Sequence, residues 1–235
     1  MQTSSDPTKT IECQRCGTSF DYLPVMWGNR ETFIPKWCEA CADILVAEEE
    51  ARARRVEQEA RRKAFLRNVP PLYRETEIAR LPPVLAQLAT DWNYNPIGIG
   101  MVGTSGTGKT RTAVLIAARM CDEGRSVFYV TATDYAAAAA GQWADDARDR
   151  NASTDTLRQA RKAQVLVLDD IGKNKMTDRA EATLYELLEA RTSHMLPTIW
   201  TSNARAKELH AMFSSDRADA MLRRLGSDFN RVVKL

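Results

Sequence analysis

The chain has 235 residues, is 44% hydrophobic, and sets 33 basic side chains against 31 acidic ones for a net charge of +2. That composition fits a soluble globular protein with one sizeable domain and a small one. No apolar run approaches the ~18 to 20 residues that span a bilayer, and residues 1–10 are polar without the apolar core of a signal peptide, so the expected location is the cytosol, with no membrane partner.

The first feature from the N-terminus is Cys13-x-x-Cys16, followed after 21 residues by Cys38-x-x-Cys41. A reducing compartment makes such pairs metal ligands rather than disulfides, and two tight turns can present four thiolates tetrahedrally to one zinc ion. About thirty residues are too few to bury a core unaided, so the metal is expected to staple a small module over residues 1–42. Phe20, Tyr22, Trp27, Phe33 and Trp37 either form its miniature core or stack on unpaired bases. Four basic residues against five acidic ones in 1–41 make a poor phosphate-backbone binder, so a protein is the expected target.

Residues 43–69 form the next segment. They are rich in Ala, Glu and Arg, with acid-to-base pairs four apart at Glu48/Arg52, Glu50/Arg54, Glu57/Arg61 and Glu59/Lys63. These are helix formers with helix-stabilising charge spacing and too few apolar residues for a buried face, which predicts a solvated connecting helix. Pro70-Pro71 ends it and opens the larger domain, 70–235.

In that domain short apolar runs alternate with helical patterns. Strands are expected at 97–102, 127–131, 165–168 and 198–201, and helices from Lys109 to about Glu123, near 134–149, from about Thr177 to Ser193, and at 217–225. The order predicts an α/β fold with a parallel sheet covered on both faces. The fifth cysteine, Cys121, falls in an apolar helical pattern and reads as core. The run Ala136–Ala140 says little about function.

Between the first strand and its helix stands Gly103-Thr104-Ser105-Gly106-Thr107-Gly108-Lys109-Thr110, a phosphate-binding loop in the strand–loop–helix context such a loop requires. Its glycines let backbone N–H groups close on phosphates at a helix N-terminus. Gly103, Ser105, Gly106, Thr107, Gly108 and Arg111 are the expected ATP contacts, with Lys109 on the β- and γ-phosphates and Thr110 on magnesium. The strand Val165–Leu168 runs into Asp169-Asp170, which places two carboxylates beside the loop, Asp169 for the magnesium shell and Asp170 to orient the attacking water. Asn203, after another apolar strand, is positioned to hydrogen-bond the γ-phosphate or the lytic water. Arg224, then Arg223, are candidates to reach a neighbouring subunit's γ-phosphate. His194 and His210 have no partner at catalytic spacing.

Together these motifs resemble the AAA+ ATPases of the DnaC/IstB type, bacterial and phage replicative helicase loaders and transposition helper ATPases. The resemblance runs from about Asn68 to Leu235 and rests on Asn68-Val-Pro-Pro-Leu-Tyr, the phosphate loop, Leu168-Asp169-Asp170-Ile171-Gly172, Leu184–Arg191, Pro197–Asn203 and Arg223-Arg224-Leu225 before a final Val-Val-Lys-Leu strand. It implies a P-loop AAA+ core, ATP-dependent self-association through an arginine finger at Arg224, and a replicative helicase and single-stranded DNA as partners. Most AAA+ proteins carry Asp-Glu where this chain has Asp169-Asp170, which implies slow hydrolysis and a switch rather than a motor. A transposase helper acting on duplex DNA is the second expectation, although that type normally has a helical N-terminal domain. A ClpX-like protein remodeller is third, and it is disfavoured by the lack of an aromatic–glycine pore loop and by the few residues after Arg224. For DNA, the candidate contacts are Arg158, Arg161, Lys162, Lys173 and Lys175.

Overall fold

The computed structural model describes residues 8–172 and 175–235; Lys173 lies outside the described residues. The chain divides into two compact units, Met1–Glu57 and Gln58–Leu235. Among the described residues no helix is long and apolar enough to cross a membrane.

The smaller unit holds two antiparallel hairpins that the sequence reading did not foresee. Strand β1 (Lys9–Glu12) pairs with β2 (Ser19–Tyr22), and β3 (Val25–Trp27) with β4 (Arg30–Phe33). Alternation half-buries Phe20 and Tyr22 on one side of β2. Glu31 ties the hairpins together, accepting from Lys9 Nζ and from the Tyr22 hydroxyl at 2.7 Å each. The Lys9 ammonium and then the Tyr22 hydroxyl hold its carboxyl below the usual range. Trp27 is 82% exposed, and Phe33 and Trp37 are exposed as well, so these three rings are not the miniature core. Helix α1 (Glu39–Asn68) follows, starting four residues earlier than the expected connecting helix because Cys38 and Glu39 open its first turn.

The larger unit is built from α2 (Pro71–Arg74), a short 3-10 turn at Ile78–Arg80, α3 (Pro83–Asp91), β5 (Gly98–Val102), α4 (Lys109–Asp122), β6 (Val127–Thr131), α5 (Ala132–Gly141), α6 (Ala147–Lys162), β7 (Val165–Ile171), α7 (Asp178–Ser193), β8 (Thr198–Ser202), α8 (Ala206–Met212), α9 (Ala218–Leu225) and β9 (Asn230–Lys234). The five strands run parallel in the order β6-β7-β8-β5-β9. Period-two alternation sends Val165 and Val167 to one face, against Leu85, Leu88, Ile116 and Met120 of α3 and α4. Leu166 and Leu168 go to the other face, against Leu184, Leu188, Met221 and Leu225 of α7 and α9. Both faces are therefore covered, which explains why the strands read as continuous apolar runs. Gly100 is required where the Trp200 indole lies across β5, since a Cβ there would come within 2.3 Å of the ring.

Cys121 is buried in the first of these clusters, and burial pushes its thiol up to about 12, so it is an inert core residue. The single helix expected near 134–149 is instead two. α5 stops at Gly141, and Asp146 caps α6 by accepting from the backbone N–H of Arg148 and Asp149.

The sheet's most unusual support is Arg191, which is fully buried and has no carboxylate partner among the described residues. Its guanidinium donates to the carbonyls of Ala160, Ala163 and Pro197 at 2.9, 2.8 and 2.6 Å, and to the Thr198 hydroxyl at 3.0 Å. These acceptors lie at the carbonyl end of α6 and the entry to β8, so one cation stitches α6, α7 and β8 together and meets the negative end of a helix dipole. Burial lowers its pKa only to about 9, leaving it charged at neutral pH. Arg191→Met leaves those acceptors buried without a donor and is expected to destabilise the fold by about 3 kcal/mol or more. Thermal unfolding checks this, and a melting temperature within about 2 °C of the parent chain would contradict the role.

Candidate functional site

The phosphate loop leaves the carboxyl end of β5, the strand at which the sheet order reverses, so the loop opens into the crevice where ligands of parallel sheets bind. Gly106 and Gly108 have φ of +82° and +96°, the left-handed region that glycine enters at no steric cost, and Gly108 is the N-cap of α4. The cavity above the loop has a volume of about 690 Å³. Ser105 to Arg111, Asp169, Asp170 and Asn203 line it together with Thr201, while the expected contact Gly103 lines a neighbouring cavity instead. Lys109 is buried, and its ammonium donates to the carbonyls of Gly103 and Thr104 at 2.8 and 2.7 Å. Burial lowers its pKa, opposed by the charges of Asp170 and Asp169. The loop thus holds a desolvated cation over the place where phosphate charge would enter.

β7 does not stop at Leu168 but continues through both carboxylates to Ile171, with its register against β8 shifted between Leu168 and Ile171. Asp170 takes φ +59°, an uncommon conformation for a non-glycine residue that is characteristic of functional strain. The irregularity turns consecutive side chains into the same cavity, where a regular strand would send them to opposite faces. Asp169 accepts from the Thr110, Thr201 and Tyr129 hydroxyls at 2.9, 2.6 and 2.7 Å. Asp170 receives the Asn203 amide at 3.0 Å, while its own N–H donates to Thr201 Oγ1 at 2.9 Å. Thr201 and Tyr129 were missed by sequence reasoning because a threonine and a tyrosine inside apolar strands read as core. Burial and then Asp169 raise the Tyr129 pKa, keeping its hydroxyl a donor.

The outer wall is also absent from the sequence prediction. Tyr73, Arg80 and Pro82 line the cavity, and the Arg111 guanidinium sits 5.6 Å from the Tyr73 ring centroid. The motif Asn68-Val-Pro-Pro-Leu-Tyr already carried Tyr73, and the signal for a site role was its unexplained aromatic beside a proline pair. The Thr110 hydroxyl beside the Asp169 carboxylate is a pair of hard oxygen donors, which suits magnesium.

The remaining predicted residues lie elsewhere. Arg224 is buried between α7 and α9, ion-paired to Glu189, donating to the Ala220 carbonyl and stacked 4.9 Å over the Tyr185 ring. Arg223 is the exposed member of the pair. Arg158, Arg161 and Lys162 sit at the end of α6, where the chain enters β7, which is the sheet edge opposite the phosphate loop. Lys175 is exposed ahead of α7.

In the smaller unit the four sulfur atoms of Cys13, Cys16, Cys38 and Cys41 lie within 4.8 Å of one another, with Cys16 and Cys38 3.8 Å apart. Four sulfurs placed ~2.3 Å from one zinc ion are separated by about 3.8 Å, so the cluster has both the donor set and the size for zinc. Gly17, at φ +74°, closes the first turn through its N–H to the Cys13 carbonyl, and Cys41 lies in the first turn of α1.

Known proteins share this architecture. The profile described as IstB-like ATP binding protein matches residues 38–233. The chain belongs to that family. A putative insertion sequence ATP-binding protein, y4uH of Sinorhizobium fredii (strain NBRC 101917 / NGR234), is 29% identical over 146 residues, 62% of this chain and 56% of that protein. The chain spans about half the length of the curated relatives it matches. Among solved structures, DnaI aligns at a TM-score of 0.54 and 18% identity over 67% of this chain and 92% of its own. The replication initiator DnaA bound to AMPPCP and single-stranded DNA aligns at 0.54 and 15% over 71% and 50%. These likenesses are of fold, a P-loop AAA+ architecture, and it is the family match that makes the larger unit an IstB-like ATP-binding domain.

Two outcomes follow for the sites. Cys38→Ser is expected to lose bound zinc and unfold residues 11–41 while nucleotide affinity stays unchanged; metal analysis that finds no zinc in the unaltered protein contradicts the assignment. Tyr129→Phe removes one of three donors to Asp169 and is expected to weaken magnesium-dependent ATP affinity by about 1 kcal/mol, roughly fivefold. Fluorescent-nucleotide titration against magnesium checks it, and an unaltered magnesium requirement would show that Tyr129 does not position Asp169.

Proposed function

We propose that the chain is an ATP-dependent loader of a replicative DNA helicase, acting with single-stranded DNA during replication initiation. The observation that carries this reading is the separate smaller unit. It joins a four-thiol cluster to an exposed apolar hairpin, with Val25, Met26, Trp27 and Phe33 all open to solvent, and the segment carries no excess of cations. An apolar surface without positive charge suits a protein target and not a phosphate backbone. In this reading residues 1–42 hold zinc and grip the helicase, 43–69 connect, and 70–235 bind and hydrolyse ATP. The fold shared with DnaI and with DnaA bound to single-stranded DNA supports it.

Within the ATPase, the Lys109 ammonium exchanges the Gly103 and Thr104 carbonyls for the β- and γ-phosphates, and the loop N–H groups close around the same charge. Thr110 and Asp169 would hold magnesium, whose charge would offset that of the phosphates. Asp170 orients the attacking water, and Asn203, bonded to it, reports whether the γ-phosphate is present. A neighbouring copy completes the site with an arginine. We assign that role to Arg223, since Arg224 is engaged by Glu189 and Tyr185 inside its own fold.

A transposase-helper function is the second reading, favoured by the family match and by the name of the y4uH relative. Binding titrations at fixed salt separate the two. The loader is expected to prefer single-stranded over duplex DNA when ATP is present, and removal of residues 1–41 is expected to abolish co-sedimentation with the cognate helicase while keeping that preference. An ATP-dependent preference for duplex DNA favours the helper, and ATP-dependent unfolding of a protein substrate without DNA affinity favours a remodeller.

A further inference from the structure

Helix α9 is held to α7 by more than its apolar face. Met221 and Leu225 pack in one cluster with Leu184 and Leu188, and hydrocarbon contact of that kind is non-directional, fixing separation more firmly than rotation. Beside it runs a polar stripe. Glu181, Tyr185 and Glu189 stand four residues apart on one face of α7, and each meets α9 or the turn that leads into it.

Glu181 is only 3% exposed, so its carboxylate has been taken out of water. Its two oxygens accept the Ser214 N–H at 3.0 Å each, one of them also accepts the Ser214 hydroxyl, and the Arg217 guanidinium stands 3.8 Å away. Ser214 in turn offers its carbonyl to the N–H groups of Arg217 and Ala218, at 3.1 and 2.9 Å, which starts α9. At the other end Glu189 pairs with Arg224, whose guanidinium also lies over the Tyr185 ring. The acids of α7 therefore engage Arg217 and Arg224, while Arg223 is exposed.

Successive residues on a helix differ by about 100° in direction, so a rotation of α9 by one position exchanges Arg223 and Arg224 between solvent and core. Hydrogen bonds at both ends of the stripe oppose that rotation. A desolvated carboxylate adds little net stability over well-packed hydrocarbon, so the value of Glu181 lies in direction. The strained end of β7 is close by. A Cβ at Gly172, two residues after Asp170, would come within 2.7 Å of Leu209 in α8, the helix that runs into Phe213 and Ser214.

We infer that Glu181 is a positioning residue for ATP hydrolysis in a neighbouring copy of this chain, setting the rotation of α9 so that Arg223 points outward. Glu189 and Tyr185 hold the same rotation from the other end by engaging Arg224. This role rests on Arg223 acting in trans, and one experiment reports on both.

Full-length copies carrying Lys109→Ala, which keep α9 but lack the phosphate-binding ammonium, are mixed with copies carrying Arg223→Ala, which keep the nucleotide loop. Hydrolysis with magnesium is expected to rise at least roughly tenfold over either variant alone, because one copy lends its arginine to the other's site. Glu181→Gln keeps the shape of the side chain, removes the charge beside Arg217 and puts an amide N–H where Ser214 needs an acceptor. Placed in the Lys109→Ala copy, it is expected to remove most of that gain, roughly tenfold, and placed in the Arg223→Ala copy to leave the gain within about twofold. A merely structural role would not depend on which copy carries the change. Should Glu181→Gln fail to fold, Ser214→Ala is expected to show the same one-sided loss at about two- to threefold. Equal loss from either copy, or loss from neither, overturns the role of Glu181 and leaves Arg223 in place. No gain on mixing the two parent variants overturns the assignment of Arg223, and the role of Glu181 with it.

Discussion

Everything at the nucleotide site depends on the break in β7. A regular strand would send Asp169 to one face of the sheet and Asp170 to the other, and one carboxylate would be lost in the helical layer. The register shift after Leu168 and the left-handed turn at Asp170 put both in one cavity, opposite Lys109 and Thr110. Such a conformation is disfavoured by roughly 1–3 kcal/mol and persists only where surrounding contacts fix it. Here Thr201 is the clamp, donating to Asp169 and accepting from the Asp170 N–H, so β8 holds the distorted end of β7 in place. Asn203, two residues further on, donates its amide to Asp170 and carries the connection from β8 into the cavity.

Much of this was legible in the sequence because it depends on local spacing. The phosphate loop, the acidic strand end and the paired cysteines are short motifs whose chemistry needs those residues in that order, and the cavity and the sulfur cluster bring them together. The strands 127–131 and 198–202 announce themselves by apolar runs bounded by turn residues. What was not legible depends on contacts distant in sequence. Tyr129 and Arg191 look like ordinary strand and helix residues until the fold places an aspartate or a ring of carbonyls against them. The hairpins of the smaller unit were missed because four-residue strands carry little periodic signal.

Arg224 illustrates the same limit from the other side. Its place on a helix near the C-terminus made it the first candidate for an arginine that reaches a neighbouring site, yet the helical period turns it inward onto Glu189 and Tyr185 and leaves Arg223 outward. The two units also divide the chemistry. The strained carboxylate pair and the buried lysine lie in the ATP-binding domain, while exposed Val25, Met26, Trp27 and Phe33 lie on the unit with the four-thiol cluster.

The central claim is that Lys109 supplies phosphate affinity and the strained Asp170 supplies turnover. Single-turnover hydrolysis measured beside equilibrium ATP binding, for Lys109→Ala and Asp170→Ala in the full chain with magnesium, tests it most directly. The account predicts that Lys109→Ala loses tight binding, and that Asp170→Ala binds within about threefold of the unaltered protein while its hydrolysis falls by roughly 10²-fold or more. Equal loss of affinity in both variants, or unimpaired hydrolysis by Asp170→Ala, would contradict it.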